Sequence, residues 1–386
     1  MFDLAIIGGG PAGTAAAIAA RRHGLSVGIW ERDRFPRDKV CGEFISPESL
    51  PFLRAHVPDP VALGAEIRGA EFVPRSGRAY RLNFPSPALG LSRWAIDEAL
   101  WRAAQASGAD TREGAAVRGV WRVSSSNGLS AASAPGWKID FGAQEHAHSR
   151  ALLVACGRWW SLEGFLSPAA VRNGQTVGRW MGAKAHFSGV APRPTVEMYF
   201  FPGGYCGLTP IEGSLYNACC LIQSGRVRES GGRGAADFRR WISAAARHPA
   251  LESRLAGAVQ VSETVTTAPV RLARRHSEHA GALLAGDAAG FLDPFTGDGI
   301  SQALHAGVLA AECVARAGSG EKDRRVGNRA VSSYRRALAN AVWRSYAAAG
   351  MVRALVRAPV ALQSAAARAV PFLGPKLLAA TRWHEG

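Results

Sequence analysis

Glycines at positions 8, 10 and 13 stand between an apolar run at residues 3–7 and an alanine-rich stretch at 11–23, and an acidic residue, Glu31, closes the next apolar run at 26–31. Each part of that spacing has a mechanical use. Gly8 permits a tight turn, Gly10 lets backbone come up against a pyrophosphate, and Gly13 lets a helix pack closely on a strand. A helix that opens after such a turn points its unpaired N–H groups at phosphates, and Glu31 can accept hydrogen bonds from ribose hydroxyls. The chemistry is dinucleotide binding. A second, distant set lies at Gly286-Asp287-Ala288-Ala289-Gly290, followed by Asp293-Pro294-Phe295-Thr296-Gly297-Asp298-Gly299-Ile300. Asp287, at the end of a short strand, can accept a ribityl hydroxyl, and a helix opening near Gly299 can aim N–H groups at a flavin pyrimidine oxygen and stabilise the reduced anion. The two sets together favour FAD over NAD, held without a covalent bond. Gly286, Asp287, Pro294, Gly297 and Gly299 are its expected contacts on this side.

Cys41 is the third candidate, in a loop with Arg37 and Lys39. Nearby cations lower a thiol pKa and make it reactive; packing as a small buried residue against the first helix is the alternative. His248 and His305 have no carboxylate or cysteine at telling spacing and read as core or surface residues. Asp293 and Asp298 read as turn or cap residues. The six cysteines lack CxxC pairing, so neither zinc nor a disulfide framework is expected, and no metal site is.

These residues need elements to hold them. The order strand 3–7, helix 11–23 closed by Gly24, and strand 26–31 is a right-handed βαβ unit opening a parallel sheet. A helix is expected at 94–107, strands at 117–123, 137–141 and 151–155, and a surface loop at 124–135. Strands at 196–201 and 215–222 belong to a different unit, with tryptophans filling cores and pocket walls. A strand at 282–285 precedes the second glycine turn, and from 328 onward the chain is Ala/Arg-rich and helical.

The chain has 386 residues, 47% of them hydrophobic, enough for two or three packed units. Its 46 basic and 30 acidic residues give a net charge of +16, a field that draws phosphorylated cofactors, anionic substrates or a membrane surface. The arginines are scattered and no binding motif accompanies them, which excludes a nucleic-acid partner. No signal peptide is visible and no apolar run reaches the ~20 residues of a spanning helix, so the expected location is the cytoplasm, with peripheral membrane contact through Arg353, Arg357 and Arg368 on one face of the C-terminal region.

Arg37-Asp38-Lys39-Val40-Cys41-Gly42 with Ser46-Pro47, Ser92-Arg93-Trp94-Ala95-Ile96-Asp97-Glu98-Ala99-Leu100, and the segment 286–300 resemble the geranylgeranyl reductase family within the p-hydroxybenzoate hydroxylase-type flavoproteins. The resemblance implies that Arg37 and Cys41 lie in a loop beside the flavin, that Arg93 reaches FAD, and that Cys41 is the catalytic candidate facing the ring. It implies an α/β fold: a Rossmann-type FAD-binding domain (1–60, 93–170 and 270–320), an inserted mixed-sheet substrate domain (61–92 and 171–269) and a C-terminal helical region (321–386). Cys156-Gly157-Arg158 stands where many hydroxylases carry Asp-Gly, and Tyr199-Phe200-Phe201-Pro202-Gly203-Gly204-Tyr205 matches the reductases' aromatic substrate motif in part. The Trp-x-Trp-x-Ile-Pro signature of flavin halogenases is missing, which argues against halogenation. The expected activity is reduction of C=C bonds in an isoprenoid or other lipophilic substrate; the alternative is hydroxylation of a phenolic, quinone or other aromatic compound with O2. A flavin-binding sensor or carrier is disfavoured by the length of the 171–269 insertion. With one dinucleotide motif, electrons come from transiently bound NAD(P)H or from an electron-transfer partner.

Overall fold

The computed structural model describes residues 1–123, 136–142, 145–158, 180–225, 237–270, 281–291, 295, 297–318, 329–342 and 374. Pro294, the loop at 124–135 and the arginines at 353, 357 and 368 lie outside the described residues. The fold is α/β, built on two large mixed sheets.

In the first sheet Phe2–Ile7 lies between Val27–Glu31 and Glu145–Val154, parallel to both, with Ile6 opposite Ile29 and Leu153. Leu283–Leu284 adds to the far side of Glu145–Val154, also in parallel. The inner residues of these strands are buried on both faces, which is why they read as continuous apolar runs instead of alternating ones. Gly119–Val123 and Gly136–Gly142 close one edge as an antiparallel meander. Helices Pro11–Arg22, Arg93–Ala106 and Gly299–Gly318 cover one face, and Val120, Trp137 and Ile139 fill the other.

Small residues dominate the first helix because it is pressed between sheet and helix. Its first ten residues, from Pro11, are all buried. A Cβ on Gly307 of helix Gly299–Gly318 would stand 2.1 Å from the Ala12 carbonyl oxygen, so a glycine there lets the two backbones touch.

The second sheet has nine strands. Leu215–Gln223 and Gly204–Ile211 pair antiparallel at its centre, while Thr195–Phe201 and Ala65–Val73 pair in parallel. Phe44–Ile45, from the loop that follows the first βαβ unit, pairs with Tyr80–Gly90 at one edge. One face carries helix Phe238–Ala246 on Phe187, Phe201 and Ile222. The opposite face presents Trp180, Met198, Tyr205 and Leu221 to Phe291 and Phe295. No helix among the described residues is long and apolar enough to cross a membrane.

Candidate functional site

The glycine turn joins strand Phe2–Ile7 to the first helix. Gly8 has φ +108°, a conformation that suits only glycine, and its N–H donates to the Trp30 carbonyl at 2.8 Å. A Cβ on Gly13 would lie 1.9 Å from the Gly8 oxygen, so helix and turn meet backbone to backbone. Gly10 is the helix N-cap with Pro11 following it, and the nearest atom to a Cβ placed there is the Arg93 guanidinium at 3.9 Å. This cradle, open at Gly10 and lined by helix N–H groups and an arginine, fits the pyrophosphate of FAD.

Glu31 is buried where its strand ends. Its carboxylate accepts the N–H of Gly9 at 2.8 Å and of Asp33 at 3.0 Å, and pairs with Arg37 at 3.1 Å. Arg37 also approaches Asp97 at 3.8 Å, and Asp97 holds Arg93 through two bonds of 2.7 Å. Burial alone would favour losing the Arg93 proton, but the Asp97 carboxylate outweighs it and raises the guanidinium pKa. Glu31, Arg37, Asp97 and Arg93 therefore form one chain of charges from the end of strand Val27–Glu31 to the mouth of the glycine turn at Gly10. Ser92 caps the helix that carries Arg93 and Asp97 by accepting the Ala95 N–H. It is itself tied to Glu212 of the second unit, whose carboxylate accepts the Ser92 N–H at 2.8 Å.

Cys41 is half-buried in the loop that crosses to the second sheet. Its sulfur accepts the Glu43 N–H at 3.4 Å, and the guanidinium set beside it is that of Arg93. This corrects the expectation that Arg37 and Lys39 serve the thiol: Arg37 is drawn to Glu31 and Asp33, and Lys39 to Asp33 at 2.9 Å. Those carboxylates end the preceding strand and are the closer charges.

At the second glycine turn Gly286 adopts φ +59°. A side chain there would meet Ala12 and Ala303, which brings the turn against the first helix and helix Gly299–Gly318 alike. Asp287 follows in a short 3-10 turn, with Arg158 at 3.8 Å. Arg158 stacks over Phe291 at 4.5 Å. Gly297, with φ +71°, faces Phe44 beside the Cys41 loop, and Gly299 opens helix Gly299–Gly318. Ser46 of that loop meets Ser301 of the same helix at 2.5 Å. The Gly8, Gly10, Gly13, Glu31, Arg37 and Arg93 group and the Gly286, Asp287, Gly297 and Gly299 group thus flank the N-terminus of the first helix. Phe295, between them, packs on Phe72, Phe200 and Tyr205 at ring separations of 6.0, 5.5 and 5.8 Å.

Three residues of this region were not singled out in the sequence. Glu43, Lys184 and His186 are buried together between the Cys41 loop and strand Trp180–Ser188. Lys184 hydrogen-bonds both Glu43 and Asp38, the latter at 2.7 Å, and His186 Nε2 lies 2.7 Å from the other Glu43 oxygen. Burial pushes the Glu43 carboxyl up, but His186 and Lys184 outweigh it and hold it below the usual range. Asp38, Glu43 and His186 offer ligand atoms within 4.8 Å of one another; the Lys184 ammonium, bonded to both carboxylates, takes the place a metal cation would have. The available signal was a lysine inside an otherwise apolar strand.

Comparison with known proteins finds relatives in sequence and in fold. The FAD dependent oxidoreductase family matches residues 3–36, the βαβ unit with Glu31. A flavin-dependent halogenase of Armillaria mellea is 26% identical over 81% of this chain and 67% of its own length. A digeranylgeranylglycerophospholipid reductase of Methanococcoides burtonii is 26% identical over 82% of this chain and 75% of its own. The structure of a flavin-dependent brominase superposes with a TM-score of 0.76 at 21% identity, covering 99% of this chain and 94% of that one. The family match and these relatives make the chain an enzyme, an FAD-dependent oxidoreductase. Within that class it is similar to the geranylgeranyl reductase type, as its loop motifs implied. Halogenases stand beside the reductases among its relatives despite the missing tryptophan signature, so kinship alone does not select the reaction.

Proposed function

We propose that the chain reduces C=C bonds of an isoprenoid or other lipophilic substrate, with FAD supplying hydride-transfer chemistry when bound and NAD(P)H or an electron-transfer partner supplying electrons. The observation that carries this reading is the apolar wall of Phe72, Phe200, Tyr205, Phe291 and Phe295, in which a residue of the second glycine segment packs directly on the second sheet. Such a wall desolvates a hydrocarbon and offers it few polar partners. Cys41 is the candidate catalytic residue, its thiol set beside Arg93. The same rings could stack on a planar aromatic, which favours hydroxylation of a phenol or quinone as the second reading.

In this proposal Glu31 and Asp287 hold ribose and ribityl hydroxyls. Replacing either by alanine is expected to weaken FAD by about 1.5–3 kcal/mol, the value of a charged hydrogen bond, in a titration of apoprotein; unchanged affinity in both variants would remove these contacts. The reaction is tested by photoreducing the flavin and dividing the sample. One half receives polyprenyl lipids without oxygen, the other phenolic substrates with labelled O2. Anaerobic reoxidation of the flavin with a product heavier by two hydrogens supports reduction, and it should slow in Cys41→Ala while FAD stays bound. Label in a hydroxylated product would replace the first reading by the second.

A further inference from the structure

Lys184 is the only buried lysine among the described residues, and its side chain is 0% exposed. Removing an ammonium from water costs several kcal/mol unless carboxylates and hydrogen bonds compensate. Both compensating carboxylates come from a single stretch of backbone without regular structure, Asp38 and Glu43, and Cys41 lies between them. Other contacts fall on the same surface. His186, two residues along the strand and so on the same face, takes the second Glu43 oxygen. Asn217, opposite His186 on the neighbouring strand, donates to the Cys41 carbonyl at 2.9 Å. Gly182 leaves space that Val40 occupies. Glu43 also accepts the Arg93 N–H at 2.8 Å. It does so at φ +56°, a backbone state that costs a residue other than glycine on the order of 1–3 kcal/mol and persists only where its surroundings impose it.

We infer that Lys184 is the positioning residue of the Cys41 loop: from the second sheet it grips the two carboxylates that bracket Cys41 and so fixes where the thiol stands relative to Arg93. An apolar side chain could fill the same volume, but it would give the loop no direction. The ion pairs, with fixed donors and acceptors, select one loop arrangement. The meaning of this for catalysis rests on the proposed role of Cys41, whereas its test does not.

The test is the alkylation rate of Cys41 in the FAD-loaded protein, followed with iodoacetamide and quantified on the Cys41 peptide by mass spectrometry. Lys184→Met is expected to speed alkylation about tenfold, the ratio given by a local opening made easier by about 1.4 kcal/mol. Arg254→Met breaks another buried ion pair on the same sheet, with Glu197, and is expected to leave the Cys41 rate unchanged. Should Lys184→Met not fold, Asp38→Asn removes the partly exposed arm of the grip and is expected to give the same acceleration in smaller degree. An unchanged rate in the folded Lys184 or Asp38 variant, or an equal acceleration in Arg254→Met, would overturn the assignment. Because no substrate is turned over, failure of the reductase reading leaves this result standing, and the reverse holds too.

Discussion

Glu43 joins the two units at a single side chain, since one carboxylate serves Lys184 and His186 of the second sheet and the N–H of Arg93, which heads the helix bearing Asp97. Its pH behaviour follows from its surroundings. The folded carboxyl titrates below its ordinary value of 4.5, so the stability it contributes is present above about pH 4.5 and is lost as pH falls through the lower folded value. Lys184 works in the opposite direction: burial would lower its pKa, but Glu43 and Asp38 raise it above 10.5, so its contribution is full below about pH 10.5 and is lost as pH rises through the higher folded value. Glu43→Gln is expected to cost about 3 kcal/mol at pH 7, because Lys184 keeps only Asp38. It should also flatten the loss of stability as pH falls below about 4.5, the window set by the lowered carboxyl. Urea unfolding of parent and variant at neutral pH and at a series of pH values below about 4.5 checks this; a variant as acid-sensitive as its parent would remove Glu43 from the explanation.

Among the elements, the contact between helices Pro11–Arg22 and Gly299–Gly318 sets the spacing of the two glycine turns. Gly307 lies against the Ala12 carbonyl with no room for a methyl group. Gly307→Ala is therefore expected to destabilise the protein by about 1–3 kcal/mol through overpacking and to weaken FAD, since Ala12 follows the N1 residue of the helix proposed to hold the pyrophosphate. Gly318→Ala, where a Cβ would meet nothing within 4 Å, is the control and should be neutral or slightly stabilising. Denaturation midpoints and FAD titrations of both variants decide. A tolerant Gly307 would mean that the helices separate freely.

Across the whole molecule, local patterns were legible and crossings between units were not. The βαβ unit could be read because apolar run, glycine turn and acid are contiguous, and the helix from Gly299 because its opening turn is marked. The partition of cations could not be read. Arg37 and Lys39 are near Cys41 in sequence, and only the fold shows Asp33 and Glu31 taking them while Arg93, some fifty residues on, takes the thiol. Glu43, Lys184 and His186 escaped for the same reason: Glu43 and Lys184 are 141 residues apart, and no spacing rule spans that interval.

The interleaving of the first sheet has a consequence for how the protein comes into being. Phe2–Ile7 leaves the ribosome well ahead of its neighbour Glu145–Val154, which emerges roughly 150 residues later, about 7–30 s at ribosomal speed, and Leu283–Leu284 needs about as long again. Throughout that interval one edge of a nearly all-apolar strand has no hydrogen-bonding neighbour. A nascent chain in this condition is exposed to wrong pairing with its own later strands or with other chains, so the yield of active protein is governed by what shelters that edge until residue 154 arrives.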